Sequence, residues 1–347
     1  MNFDIALWLV QDGITNGAIY ALLALALLLV FAVTRVIFVP QGEFISYAAL
    51  SLALLQAGRL PGTVYVLVIG GLIAAVLDGV VAIRGKAYRQ LPRILAVYVL
   101  LPVIMALITW WAVPQKLGLW LQVLIVLGLV VPLGPILYRV AYRQLAGASV
   151  LVLFIVSMAA HYTLSGLGLV FFGSEGLRSQ PFSEAQFKLG VLNVTAQSLW
   201  VVFASLFVMA ALWLLFDFTI YGKALRATAI NRIGARLVGI PSELSGSLSF
   251  TLAAFIGAVS GILIAPFTTI YYDTGFLIGL KGFVSAILGG MGSYPLAALG
   301  AVLLGLFESF SSFWASTFKE VIVFTILIPV LVWRSLTSRH HVEDEEQ

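Results

Sequence analysis

A chain of 347 residues with 61% apolar side chains, 10% charged ones and a mean hydropathy of +1.08 leaves no room for a separate water-soluble domain, since soluble domains carry about 25% charged residues. The absence of cysteine excludes disulfides, thiolate metal sites and cysteine nucleophiles. With only three histidines, two of them in the tail, neither a metal site nor a catalytic triad assembles. The net charge of +4 is small, so where the charges fall matters more than their sum.

Taken in order, the chain opens with "MNFDIALWLVQDG", which has no cationic region before its apolar run and is not read as a cleavable signal. A helix needs about 20 residues to cross roughly 30 Å of hydrocarbon. Apolar runs of that order lie near 13–34, 42–57, 62–83, 94–112, 118–138, 149–171, 196–219, 245–266, 273–290, 295–313 and 320–336. The second and ninth are short, which predicts broken or re-entrant helices near 40–57 and 273–292. The expected fold is therefore an all-α polytopic membrane protein of about 10–11 transmembrane helices, forming one domain over 1–347. Between them, 172–195 is polar, and its "FKLGVLNVT" alternates like a short strand or hairpin. The tail 337–347, "TSRHHVEDEEQ", is expected to be a disordered end. "AYRQL" occurs at both 87–91 and 141–145. It is either a coincidence between two basic loops or the trace of a local duplication that added a helix pair within 58–137.

Lys and Arg set the orientation. With the N-terminus outside and every run crossing, Arg35, Arg84, Lys86, Arg89, Arg93, Arg139, Arg143, Lys223, Arg226, Arg232, Arg236, Arg334 and Arg339 are cytoplasmic. Only Arg59, Lys116, Arg178, Lys188 and Lys319 fall outside, so the C-terminus is expected in the cytoplasm and 172–195 on the outer face.

"YGKALRATAINRIGARLVGI", residues 221–240, interrupts the apolar runs on the cytoplasmic side. Read as one amphipathic helix, it has Leu225, Ile233, Leu237 and Ile240 on its apolar positions and Lys223, Arg226, Arg232 and Arg236 on its polar ones. Gly222 and Gly239-Ile240-Pro241 bracket it as breakers. Such a helix either lies on anionic lipid of the inner leaflet or is offered to a cytosolic partner through Asn231 and Arg232. Charges inside spans are functional hypotheses. Lys281 either lines a pathway or pairs with Glu308 or a lipid headgroup, and Glu308 reads as a helix-packing acceptor near the outer surface. His161 reads as a satisfied interior histidine, and Asp78 and Asp217 as locally paired span-end residues. Gln41-Gly42-Glu43 follows Pro40 at a helix break. It is either a cytoplasmic turn or a break at membrane depth beside a translocation pathway. Gly257, Gly261, Gly289, Gly290, Gly292, Gly300 and Gly305 suit close helix packing.

"GKALRATAINRIGARLVGI" resembles the cytoplasmic coupling segment of permeases in the branched-chain amino acid ABC importer family, the LivH type. Gly222, Ala224, Arg226, Ala227, Ala229, Asn231, Arg232, Ala235, Leu237, Gly239 and Ile240 fit its pattern. "GFLIGLKGFVSAILGGMGSYPLAALGAVLLGLFES" resembles a second family block, through Lys281, Phe283, Ala286, Leu288, Gly289, Gly290, Gly292, Ser293 and Glu308. Asn16, Gly17, Tyr20, Ala21 and Leu22 resemble the first family helix, and "YRQLAGASVLVLFIVSMAAHYTLSGLGLVFFG" the next long block. The likeness covers about 1–56 and 138–333. The chain departs in having Gln41 where the family has His before Gly-Asp/Glu, Gly282 in the Lys-Ala-Phe position, a longer 58–137 and no terminal Pro-x-Gly-Leu pattern.

The resemblance implies a permease subunit of an ATP-driven importer in the bacterial inner membrane, moving branched-chain amino acids or related small amino compounds. It implies a second homologous permease, two cytosolic ATP-binding subunits and an extracytoplasmic solute-binding protein as partners. ATP would be used by the partner subunits, with no cofactor on this chain. The coupling segment at 221–244 would meet the ATPases through Lys223, Arg226, Asn231, Arg232, Arg236 and Gly239. Gln41, Gly42, Glu43 and Lys281 are the pathway candidates, and Gly289, Gly290, Gly292 and Glu308 the packing ones. No Gly-x4-Gly-Lys-Ser/Thr, His-Glu-x-x-His or Gly-x-Ser-x-Gly occurs, so no catalytic or metal residue is expected, and nothing points to nucleic acid. The competing class is a self-contained channel or ion-coupled carrier for a small solute, urea and amides included, against which the few intramembrane carboxylates argue.

Overall fold

The computed structural model describes residues 3–115, 117–189, 192–290 and 292–337. Each of the eleven apolar runs is helical, but they resolve into eight helices long and apolar enough to cross a membrane and two short ones. The long ones are α1 (Phe3–Thr34), α3 (Thr63–Arg84), α4 (Tyr88–Gln115), α5 (Leu119–Leu145), α6 (Val150–Phe172), α7 (Ala196–Phe218), α10 (Ser242–Ile264) and the run Tyr294–Val332. The short ones are α2 (Gln41–Gln56) and α11 (Thr274–Leu288). The last two apolar runs are thus one helical stretch, jointed as α12 (Tyr294–Ala315), α13 (Lys319–Thr325) and α14 (Leu327–Thr337). Of the tail, Thr337 closes α14 and the rest lies outside the described residues.

α1 is the axis of the molecule. Its apolar stretch is enclosed almost all round by α12, α10, α11 and α7, whereas α4 presents Leu100, Leu107, Trp110 and Trp111 outward as a lipid-facing helix does. Small residues permit the closest crossing: Gly13 and Gly17 lie directly against the α12 backbone at Leu306 and Val302, and Gly305 returns the contact. α2 is buried along nearly its whole length between α10 and α11. The region 58–137 comprises α3, α4 and most of α5, and α5 packs on both α2 and α10. Within 172–195, Gln186–Leu189 (β1) and Leu192–Thr195 (β2) pair antiparallel, as the alternation predicts.

The basic stretch is not one helix. It divides into α8 (Ile220–Ile230) and α9 (Arg232–Leu237), because Asn231 leaves helical geometry (φ −146°, ψ 102°) and its side chain accepts from the Gly234 N–H at 2.8 Å, capping α9. Gly222 does not break the chain as expected. Thr219 caps α8 by accepting from the Gly222 N–H at 3.0 Å, and Gly222 then packs on the backbone of Leu215 and Phe216. Gly239, at φ 87°, does end the segment.

Candidate functional site

The helix break before α2 lies inside the protein. α1 stops at Arg35, a non-glycine residue at φ 60°, a conformation costing about 1–2 kcal/mol for an L-residue. The chain then turns inward, wedging Phe38 among Phe44, Tyr142 and Phe250, and α2 starts at Gln41. At 16 and 15 residues, α2 and α11 reach only about 24 and 22 Å at 1.5 Å per residue, short of the hydrocarbon thickness. Gln41 and Glu43 are each 1% exposed, which places the break in the packed interior and not in a solvated turn.

Buried polar groups need partners, and most here have them. Gln41 Nε2 donates to the Ala253 carbonyl at 3.0 Å. His161 Nδ1 lies 2.8 Å from Glu43 Oε1, and its ring stacks on Phe276 with centroids 4.3 Å apart. Ser46 Oγ accepts from the Gly275 N–H at 2.8 Å and donates to the Tyr271 carbonyl at 3.2 Å. Two acceptors remain: Glu43 Oε2 and Gln41 Oε1 are buried without a partner among the described residues. A carboxylate oxygen and an amide oxygen on one helical turn suit an ammonium or other N–H donor.

α2 meets α11 through bare backbone. Gly42 and Gly275 face each other so closely that a methyl group on either would collide with the other's carbonyl. Gly42→Ala is therefore expected to destabilise. The gain in helix propensity is up to about 1 kcal/mol, while overpacking against backbone that cannot rotate away costs about 1–3 kcal/mol or more. A thermal melt in detergent checks the sign, and a melting temperature at or above the parent's would show that the helices separate freely there.

A second buried polar cluster joins α1, α11 and α12. Lys281 Nζ donates to Glu308 Oε1 at 2.5 Å, Tyr20 Oη donates to Glu308 Oε2 at 2.5 Å, and the Lys281 ammonium lies 5.8 Å from the Tyr20 ring centroid. Both carboxylate oxygens are thus occupied inside the helix interface, and Lys281 is 6% exposed. Gly289 packs against Ala297 at the α11–α12 turn, Gly290 supplies a left-handed φ of 88°, and Gly292 has room for a methyl group.

In α8–α9 each arginine has a partner within the protein, although Arg226 and Arg236 remain exposed. Arg226 pairs with Asp217 at 2.5 Å, Arg232 donates to the Ala146 carbonyl at 2.8 Å, and Arg236 donates to Ser242 Oγ at 2.8 Å. Asp78 of α3 pairs with Arg139, and Arg143 bridges Asp78 and Glu243, at 2.6 Å from the latter. This ties α3 and α5 to the start of α10, just beyond α9. Outward, α8–α9 presents a mixed surface: Ile230 is 79% exposed and Leu237 84%, with Ile233 and Val238 alongside, and Lys223, Arg226, Asn231 and Arg236 are exposed too. Sequence reasoning named Ile233 and Leu237 among the apolar positions but not Ile230 or Val238. It read His161 as a satisfied interior histidine, which its burial and its bond to Glu43 bear out, without placing it at the break.

Among the described residues, eight helices long and apolar enough to cross a membrane and two short ones, with buried charge where α2 begins, define a polytopic α-helical membrane protein. Residues 9–331 match the model of the family described as "Branched-chain amino acid transport system / permease component", and the chain belongs to that family. It is 30% identical over 201 residues to the high-affinity branched-chain amino acid transport system permease protein LivH of Escherichia coli, covering 56% of this chain and 65% of that protein. To the corresponding permease BraD of Pseudomonas aeruginosa it is 30% identical over 214 residues, 59% of this chain and 70% of BraD. To a probable branched-chain amino acid transport permease LivH of Methanocaldococcus jannaschii it is 31% identical over 229 residues, 61% of this chain and 71% of that protein. No solved structure matches.

Proposed function

We propose that this chain is one permease of an ATP-driven importer carrying branched-chain amino acids or related small amino compounds across the bacterial inner membrane. The observation that carries the reading is α8–α9, an internally braced segment whose exposed tip is Ile230, Ile233, Leu237 and Val238. An apolar knob held by its own arginines is suited to enter a groove on a partner, and the family supplies the partner's chemistry. Two cytosolic ATPases would use ATP, which this chain lacks the Gly-x4-Gly-Lys-Ser/Thr loop to do itself. A second permease would complete the pathway, and an extracytoplasmic binding protein would deliver solute at the 172–195 face. The N-terminus would lie outside, as the Lys and Arg asymmetry favours, and a cytoplasmic C-terminus would require the joint at Ser316–Phe318 to return the chain across the membrane. When the ATPases close, the push on α9 passes through Arg232 to the Ala146 loop and through α10 to the α2–α11 junction. Solute would cross where α2 and α11 meet, its ammonium accepted by Glu43.

Purification of the tagged chain in mild detergent from its native locus tests this. Two ATPases and a second permease are expected to co-purify. Ile233→Asp with Leu237→Asp is expected to weaken the association at least about thirtyfold, because even one buried anchor is worth about 2 kcal/mol or more. Recovery of the chain alone, with uptake intact in liposomes, would instead leave a self-contained channel or ion-coupled carrier.

A further inference from the structure

A cavity of about 550 Å³ lies away from the α2–α11 junction, between the C-terminal halves of α1 and α7 and the start of α12, with α8 along its remaining side. We propose that it binds an anionic phospholipid, with an acyl chain inside and the phosphate on Arg35. The walls include Leu29, Trp213, Phe216 and Tyr294, the rings of the last two stacked with centroids 5.8 Å apart. Its two charged lining residues are both arginines, Arg35 and Arg226. Arg226 already has Asp217, whereas Arg35 is exposed and makes no ion pair among the described residues, its guanidinium standing 6.0 Å from the Phe31 ring.

An apolar hollow with a free guanidinium at its mouth fits a molecule that is anionic at one end and hydrocarbon at the other. Both features sit at the ends of apolar helices: Arg35 follows the last residue of α1, and Tyr294 is the first of α12. A hydrophilic solute would leave these walls unpaired. The site is independent of what the protein transports, and through α8 an occupant would bear on the segment read above as the coupling element.

The test uses the full chain in phosphatidylcholine nanodiscs, titrated with phosphatidylglycerol whose acyl chains carry bromine, a contact quencher of indole. Eight tryptophans report together, so the Trp213→Phe difference isolates the cavity. Saturable quenching at low mole fraction is expected, lost in Trp213→Phe. It should be weakened about fivefold in Arg35→Gln, since one basic residue near a membrane is worth about 1 kcal/mol, and restored in Arg35→Lys. Equal saturable quenching by brominated phosphatidylcholine would reduce the contact to ordinary surrounding lipid and overturn the proposal. As the chain has no cysteine, Ala298→Cys gives a single reporter in the cavity. Its efficient cross-linking to a second copy would also overturn the proposal, by making the hollow a subunit interface.

Discussion

Glu308→Ala is expected to lower stability by about 3–5 kcal/mol, the penalty for removing one partner of a buried ion pair. The loss is large because of what stays behind. Lys281 and Glu308 side chains are each 8% exposed, so without the carboxylate the ammonium loses its hydrogen-bonded counter-charge and is left beside the Tyr20 ring, and the Tyr20 hydroxyl loses its acceptor as well. A cation–π contact is worth about 2 kcal/mol at best when desolvated and does not replace the pair. The double variant Lys281→Met with Glu308→Gln removes both charges at similar volume and is expected to recover most of the loss, since apolar replacement of a buried pair is often neutral. Asp217→Asn breaks an exposed pair, 54% and 34% accessible, and should cost under about 1 kcal/mol. Thermal unfolding of all three in one detergent is the measurement. If the double variant melts as low as Glu308→Ala, uncompensated charge is not the cause and the side chains act through shape alone.

Tyr20, Lys281 and Glu308 join α1, α11 and α12 through buried charge-assisted hydrogen bonds, whereas α2 meets α11 through the glycine contact and the Ser46–Gly275 hydrogen bond. Among the described residues no ion pair links α2 to α11 there, and on the α2 side Glu43 is hydrogen-bonded to His161 of α6.

Hydropathy alone located all eleven apolar runs, because a lipid-facing or enclosed helix must be apolar over its length. It also marked α2 and α11 as short, and the alternation of "FKLGVLNVT" gave the hairpin. It did not show that the last two runs continue through a joint at Ser316–Phe318, since hydropathy does not record direction. The α8–α9 segment was misread because helical periodicity treats Asn231 as one more polar position, whereas its short amide competes with the backbone and starts a new helix. The basic positions do lie on an exposed face at Lys223, Arg226 and Arg236, and what periodicity did not show is that Arg232 and Arg236 also reach back to Ala146 and Ser242. The Lys281–Glu308 pair was foreseeable as two charges in neighbouring spans. Glu43 and His161 stand 118 positions apart in sequence, and no local signal joins them. Yet a clue was present. Gln41 stands where the resemblance drawn from the sequence places a histidine, and the imidazole beside Glu43 arrives from α6.

If Glu43 receives solute, Glu43→Gln should cut uptake by about ten- to a hundredfold, while the melting temperature and the recovery of partner subunits change little. The amide keeps the shape and still accepts through one oxygen, so packing and an acceptor for His161 survive; what goes is the charge that would hold an ammonium. A hydrogen bond to a charged group is worth about 1.5–3 kcal/mol, which sets the range at 1.4 kcal/mol per tenfold. His161→Ala should act differently. It leaves Glu43, 1% exposed, with neither oxygen bonded, so the melting temperature should fall and uptake should fall with it. His161→Asn, which keeps a donor, should restore part of both. The informative comparison is the concentration dependence of uptake. A recognition role raises KM in Glu43→Gln, whereas a role only in closing the α2–α11 junction lowers the maximal rate at unchanged KM. Glu43→Gln with both parameters at parental values would remove Glu43 from the pathway and leave its pairing with His161 as a packing feature of α2 against α6.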